Sequence, residues 1–185
     1  MPRPALRQQQ LARRLAFTSS PDAAPASAAL TNHLASVLRE LEPDRLGLYW
    51  PIRSEFNAAS ALGADAGASK WPLALPFTRR TPKEMHYRAW DGQVRTVLDE
   101  CGIASCEGAV VVPDVLLVPC VGFTVDGYRL GYGGGYFDRW LGLHPGVTTI
   151  GVAWSCTQLE PGAYEPQPHD QPLTLIVTER GVVAG

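Results

Sequence analysis

Val115-Leu-Leu-Val-Pro119 and, ten residues further on, Arg129-Leu-Gly-Tyr-Gly-Gly-Gly-Tyr-Phe-Asp138 decide the fold class. The first is a short, continuous apolar run, the pattern of a buried strand. The second carries four glycines, Gly131, Gly133, Gly134 and Gly135. Without a Cβ each can take φ > 0, so several backbone N–H groups can converge on one anion. Arg129 supplies a fixed cation beside them. Beyond Gly135 the pattern turns helical, with Tyr136, Phe137, Trp140, Leu141 and Leu143 as inward positions and Asp138 in the first turn, so a helix N-terminus would face the same anion. A buried strand ahead of such a loop places it near the carboxyl end of a sheet, where open α/β folds bind ligands. A glycine-rich hairpin turn with a solvated aspartate is the bland alternative, but a turn uses one or two glycines and this loop has four.

The neighbouring segments extend the pattern on both sides. Leu6, Leu11 and Leu15 predict a short amphipathic helix, Thr18 to Pro25 a Ser/Pro/Ala loop, and Ser27 the cap of a second helix to about Leu41 with Leu30, Leu34, Val37, Leu38 and Leu41 inward. Arg45 to Trp50 has strand character. Pro51 ends it, Glu55 sits at the mouth of the following loop, and Asn57 can cap a helix after that. Leu73 to Phe77 and Met85 to Trp90 are short strands around a turn at Pro82. Gln93 to Cys101 reads as weakly helical and Ser105 to Pro113 as irregular. Thr148 to Ala153 and Leu173 to Val177 read as further buried strands. Strands alternating with helices argue for an α/β fold with a largely parallel central sheet flanked by helices, and 185 residues suit a single domain over 1–185.

Composition narrows the class. Hydrophobic residues at 45%, charged residues at 18% and a net charge of −2 describe a soluble globule with no reason to bind nucleic acid or a membrane surface. No apolar run approaches the ~18 residues of a spanning helix. Cys101, Cys106, Cys120 and Cys156 show neither CxxC nor zinc-finger spacing, as expected of free thiols in a reducing, cytoplasmic setting. Lys70 and Lys83, the only lysines, lie far from the glycine loop, which excludes a Walker loop. The dinucleotide fingerprint fails too, because its third glycine would fall on Tyr136.

Gly127-Tyr-Arg129 through Tyr136-Phe-Asp138, preceded by Val118-Pro119 and Phe123, resembles the signature of the 5-formyltetrahydrofolate cyclo-ligase family. Three further segments agree in order and spacing: Arg3-Pro-Ala-Leu-Arg7, Tyr49-Trp-Pro51 followed by Glu55, and Pro168-His-Asp170 before Ile176-Val-Thr-Glu179. Arg3, Arg7, Arg13 and Arg14 precede the first acid, Asp22. A transit peptide is one reading of such a start, but the motif begins at Arg3, which favours a folded helix.

The resemblance implies a Rossmann-like fold and conversion of 5-formyltetrahydrofolate to 5,10-methenyltetrahydrofolate with MgATP as co-substrate, ADP and phosphate leaving. It implies an ATP site made of Arg3, Pro4, Ala5, Leu6 and Arg7 with Arg129, Leu130, Gly131, Tyr132, Gly133, Gly134, Gly135, Tyr136 and Phe137. Arg129 and Tyr136 would act at the reacting groups, Trp50, Glu55 and Tyr136 would hold the folate, and Asp138 and Asp170 would ligate Mg²⁺. A monomer or weak dimer is expected. The chain departs from the family pattern at Cys120, in place of a glycine, and at Gln167 and Thr174, in place of carboxylates, with Glu165 a substitute for the first. Two alternatives stay open: a non-catalytic folate- or nucleotide-binding module that kept the cradle, and a sugar-phosphate isomerase on a related fold.

Overall fold

The computed structural model describes residues 1–64, 67, 69–93 and 97–184. The chain runs through α1 (Arg3–Thr18), α2 (Ala23–Leu41), β1 (Leu46–Gly47), α3 (Ala58–Ala61), β2 (Leu73–Arg80), β3 (Lys83–Trp90), β4 (Val97–Leu98), β5 (Ala104–Ser105), β6 (Val110–Val111) and β7 (Val115–Pro119). After these come β8 (Gly122–Phe123), β9 (Arg129–Leu130), α4 (Tyr136–Leu143), β10 (Thr148–Val152), β11 (Leu175–Thr178) and β12 (Gly181–Ala184). Eight strands hydrogen-bond in the order β12-β11-β10-β7-β1-β2-β3-β6. The five from β11 to β2 are parallel, and antiparallel pairs flank them at both ends. This is the expected α/β architecture.

Period-two alternation in β7 divides the core. Val115 and Leu117 pack on one face, with Leu30, Leu34 and Leu38 of α2 and with Leu46, Ile150 and Val177. Leu116 and Val118 pack on the other, with Trp140 and Leu141 of α4 and with Tyr87 and Ile176. A strand covered on both faces must be apolar at every position, which is why Val115–Pro119 reads as an unbroken run. Burying each of the three α2 leucines contributes about 1.5–3 kcal/mol. β1 departs from the middle of the sheet toward β2, whereas β7, β10 and β11 are added on its other side. The direction of winding therefore reverses between β1 and β7, and a crevice opens there beyond the carboxyl ends of the strands.

Several sequence expectations are corrected. Pro25 sits inside the first turn of α2, where its missing N–H costs no intrahelical bond. The loop shrinks to 19–22, and Ser27 is helical and caps nothing. Leu41 and Leu143 are exposed, at 37% and 79%, because each lies in the last turn of its helix, past the sheet. In α1 the buried residues are Leu6, Gln10 and Arg14, while Leu15 is 60% exposed. The Gln93–Cys101 segment is not helical where described. Residues 94–96 lie outside the described set, and Val97–Leu98 pairs with Ala104–Ser105 around Asp99, whose carboxylate accepts the N–H groups of Cys101 and Ile103. Within Ser105–Pro113, Val110–Val111 adds an edge strand to β3, and β12 is an edge hairpin that the sequence reading did not anticipate. Asn57 does cap α3, its Oδ1 accepting the Ser60 N–H at 3.1 Å.

Candidate active site

A cavity of about 530 Å³ occupies the crevice between β1 and β7. The chain leaving β1 brings Trp50, Ile52 and Glu55 to it. The chain leaving β7 first makes the β8–β9 hairpin, which turns at Thr124–Gly127 with Gly127 at φ +83°. The glycine-rich loop therefore follows a hairpin and is not its turn. Arg3 and Arg7 of α1 close one side, and Tyr164, Gln167 and Asp170 another. Arg3, Arg7, Trp50, Glu55, Asp138, Asp170 and every residue from Arg129 to Phe137 thus share one wall system. Pro4 and Ala5 are exposed on α1 and do not line it. Leu6 packs instead into a small apolar cluster with Val121, Leu130, Leu159 and Tyr164.

Two of the four loop glycines use the left-handed region, Gly133 at φ +91° and Gly135 at φ +65°, the latter as the N-cap of α4. Arg7 locks the loop from above. Its Nε–H donates to the Gly131 carbonyl at 2.7 Å, and a Cβ on Gly133 would lie 3.1 Å from its guanidinium carbon. Arg129 is 7% exposed and pairs with Asp138 (Nη2 to Oδ1, 3.1 Å), while its Nε is buried with no partner among the described residues. The Gln171 N–H reaches the same Asp138 oxygen at 3.5 Å. Phe137 packs on the α4 side of the core with the Arg129 guanidinium 5.4 Å from its ring centroid. The Tyr136 hydroxyl lies 3.3 Å from Cys101 Sγ, and the Lys83 and Arg139 cations each lie 5.4 Å from its ring centroid.

Arg3 reaches across 167 positions of sequence to Asp170 at 2.6 Å and lies over the Tyr164 ring. Burial pushes the Asp170 carboxyl up, but hydrogen bonds from Arg3, the Gln167 N–H and the Tyr164 hydroxyl outweigh it and hold the group down at about 2. Burial, then the neighbouring Asp170, pushes Tyr164 up to about 12.

Glu55 is held at both oxygens. Oε2 accepts the Ile52 N–H at 2.9 Å and Oε1 accepts the Tyr132 hydroxyl at 2.9 Å. Burial raises its pKa above the ordinary carboxylate value, opposed by those two bonds and by the Arg14 and Arg53 charges. Arg14, only 1% exposed, donates to Tyr132 Oη at 2.6 Å, to the Cys120 carbonyl at 3.2 Å and to Ser54 Oγ at 3.2 Å. Sequence reading placed Arg14 in a basic stretch and missed its burial. The spacing puts Arg3, Arg7, Gln10 and Arg14 on one helix face, at i, i+4, i+7 and i+11, but does not say whether that face is covered. Trp50 stands edge-on to Trp90 at 6.2 Å.

The departures from the family pattern have plain positions. The Cys120 side chain is buried in the core under the sheet, where burial pushes the thiol up to about 12. Thr174 exchanges hydrogen bonds with Thr149 beside β10. Glu165 meets Arg3 through its backbone carbonyl at 2.9 Å, with the residue itself exposed.

Among the described residues no three His, Cys, Asp or Glu side chains converge as a metal cage. Mg²⁺ bound with a nucleotide needs only one or two carboxylates, the phosphates and water completing its shell. Asp138 beside the glycine loop fits that role. Asp170 fits it less well, because Arg3, Tyr164 and Gln167 already occupy its oxygens.

The model of the 5-formyltetrahydrofolate cyclo-ligase family matches residues 2–179. A Haemophilus influenzae protein named 5-formyltetrahydrofolate cyclo-ligase is 25% identical over 153 residues, 73% of this chain and 76% of that one. A Mycoplasma pneumoniae protein of the same name is 42% identical over 67 residues, 36% of this chain, and the match spans only 39% of that relative's length. The NMR structure of an Aquifex aeolicus 5,10-methenyltetrahydrofolate synthetase superposes with a TM-score of 0.75 at 28% identity, covering 100% of this chain and 93% of that one. A 5,10-methenyltetrahydrofolate synthetase structure from Mycoplasma pneumoniae shares the fold, with a TM-score of 0.75 at 24% identity over 97% and 99% of the two chains. With its glycine loop, arginines and carboxylates gathered at one switch point and a family match over nearly its whole length, the chain belongs to the 5-formyltetrahydrofolate cyclo-ligase family.

Proposed function

We propose that this enzyme uses ATP to cyclise 5-formyltetrahydrofolate to 5,10-methenyltetrahydrofolate, releasing ADP and phosphate. A formamide carbonyl is a poor electrophile. Transfer of the γ-phosphoryl group to its oxygen makes the formyl carbon attackable by N10, and the C–O bond breaks as phosphate leaves. No covalent nucleophile of the protein is required; the protein must hold two substrates in line and offset phosphoryl charge. Gly131 to Tyr136 offer backbone N–H groups, and Arg7 and Arg129 offer guanidinium groups on either side of them. Arg3 is directed at the same cavity and held by Asp170. Glu55 accepts donors of the reduced pterin, with Trp50 beside it, and Tyr136 faces the formyl group. Mg²⁺ held at Asp138 would supply charge neutralisation on the phosphates.

The observation that carries this reading is that the glycine loop with its arginines and the carboxylate of Glu55 line the same cavity. An anion-binding loop and a carboxylate that can accept donors, lining one cavity, support a two-substrate site. The N-terminal arginines and Asp138 have no task in a sugar-phosphate isomerase, which needs no ATP. One domain over 1–185, a monomer or weak dimer, and a cytoplasmic enzyme complete the proposal; four cysteines that are all free support the last. Among the described residues no helix is long and apolar enough to cross a membrane.

The test is incubation with 5-formyltetrahydrofolate and MgATP while following methenyl absorbance and free phosphate. One phosphate per methenyl product is expected. Product without ATP, or binding of both substrates without product, would overturn the reading.

A further inference from the structure

We infer that Tyr132 and Arg14 are positioning residues for Glu55, a guanidinium–phenol–carboxylate chain that runs from a buried arginine to the cavity wall and fixes the direction and the charge of the carboxylate facing the folate substrate. This rests on the folate reading of Glu55 proposed above. Tyr132 lies in the glycine loop and Arg14 on α1, so neither belongs to the segment that carries Glu55.

The geometry is directional. A phenol has one proton, and Tyr132 donates it to Glu55 Oε1 at 2.9 Å while its oxygen accepts from Arg14 Nη2 at 2.6 Å. No carboxylate pairs with Arg14 directly among the described residues. Its other donors go to Ser54 and the Cys120 carbonyl, both neutral. A buried cation without a contact ion pair is costly unless a nearby negative charge offsets it. Glu55, one phenol away, is that charge. The Ile52 N–H holds Oε2 from the chain side. A carboxylate has about four lone-pair sites; two are taken by the protein, and two remain for a planar pair of N–H donors.

Other groups near Glu55 either act weakly or oppose ionisation. Arg53 is exposed, with its guanidinium 5.2 Å from the Tyr132 ring centroid. Tyr49, whose hydroxyl donates to the Phe56 carbonyl, and Cys120 are buried and neutral. Burial drives Glu55 toward protonation, and Arg14 acting through Tyr132 opposes it. A protonated Glu55 would carry a hydrogen where the substrate must donate one.

The test is Tyr132→Phe, which keeps the ring and the loop backbone and removes the hydroxyl. We expect the KM for 5-formyltetrahydrofolate to rise roughly 10-fold or more, the scale of one hydrogen bond to a charged group, with the KM for ATP within about twofold. The acid limb of kcat/KM for the folate should move toward neutral pH, because loss of the hydroxyl leaves burial less opposed. Added to Glu55→Gln, Tyr132→Phe should have little further effect on the folate KM. Arg14→Gln, which drops the charge, should shift the pH limb in the same direction; if it fails to fold, Tyr132→Phe alone decides. An unmoved pH limb, an equal change in both KM values, or full additivity with Glu55→Gln overturns the inference. A Glu55→Gln variant with an unchanged folate KM would overturn the folate assignment of Glu55 as well, whereas a large Glu55→Gln effect with a silent Tyr132→Phe removes only the positioning role.

Discussion

Arg7→Ala strikes the contact that joins α1 to the glycine loop. The Arg7 Nε–H donates to the Gly131 carbonyl at 2.7 Å, and its guanidinium covers Gly133 so closely that a Cβ there would be 3.1 Å from the central carbon. The substitution removes that bond and the cation offered to the phosphates. One hydrogen bond to a charged group is worth about 1.5–3 kcal/mol, which predicts a fall of about 10- to 150-fold in kcat/KM for ATP. The freed Gly131 carbonyl can be solvated, so the fold loses about 1 kcal/mol and Tm falls by roughly 2–4 °C. Gly133→Ala disturbs the same contact from below. Its φ of +91° costs a non-glycine residue about 1–2 kcal/mol, and the new methyl displaces the guanidinium. The two substitutions should be less than additive in kcat/KM for ATP, since once Arg7 is gone only the backbone strain remains. Initial rates of methenyl formation at saturating 5-formyltetrahydrofolate, with ATP varied, measure all three variants. An Arg7→Ala enzyme with wild-type kcat/KM for ATP, or one equally impaired toward both substrates, would refute the assignment of Arg7 to the phosphates.

Asp138→Asn should cut turnover on the order of 10²-fold or more and raise the magnesium needed for half-maximal rate, because it removes the carboxylate beside the glycine loop and leaves the buried Arg129 without its counter-charge; an unchanged magnesium titration would place the metal elsewhere. Glu55→Gln should raise the KM for 5-formyltetrahydrofolate far more than that for ATP, since an amide offers an N–H where the substrate needs an acceptor; equal effects, read from steady-state kinetics with each substrate varied, would argue against contact with the folate. Asp170 sits at about 2 in the folded chain against an ordinary 3.8, so its contribution is complete above pH ~4 and disappears as pH falls through ~2. Denaturation of Asp170→Asn across that window should show a flatter acid dependence than wild type, and parallel curves would mean that Arg3, Gln167 and Tyr164 do not hold the carboxylate ionised in the folded chain.

The glycine loop and the central strands were legible because their chemistry is local. A strand buried on both faces has to be apolar throughout, and a loop that needs φ > 0 at Gly133 and Gly135 has to carry glycine there. Arg14 was hidden by the opposite circumstance. Its partners, Tyr132, Cys120 and Ser54, are brought together only by tertiary structure, and a buried arginine on an amphipathic helix looks like a solvated one until the facing surface is known. The Asp99 turn was missed because a short polar side chain capping two N–H groups resembles any aspartate in a loop. Leu143 misled in the other direction, since helical periodicity continues to the end of α4 although the sheet beneath it stops. Edge strands β6 and β12 carry too few residues for alternation to register.

The ion pair between Arg3 and Asp170 has a consequence for synthesis on the ribosome. Synthesis runs from the amino end, so α1 is made well before the carboxylate that secures Arg3, which lies 167 positions later. The sheet can begin to assemble around β1, β2 and β7 while the helix that will roof the cavity still lacks its distal anchor. Nascent chains stalled before residue 164 should therefore leave the first turn of α1, around Arg3, open to protease, and release of the remaining segment should close it.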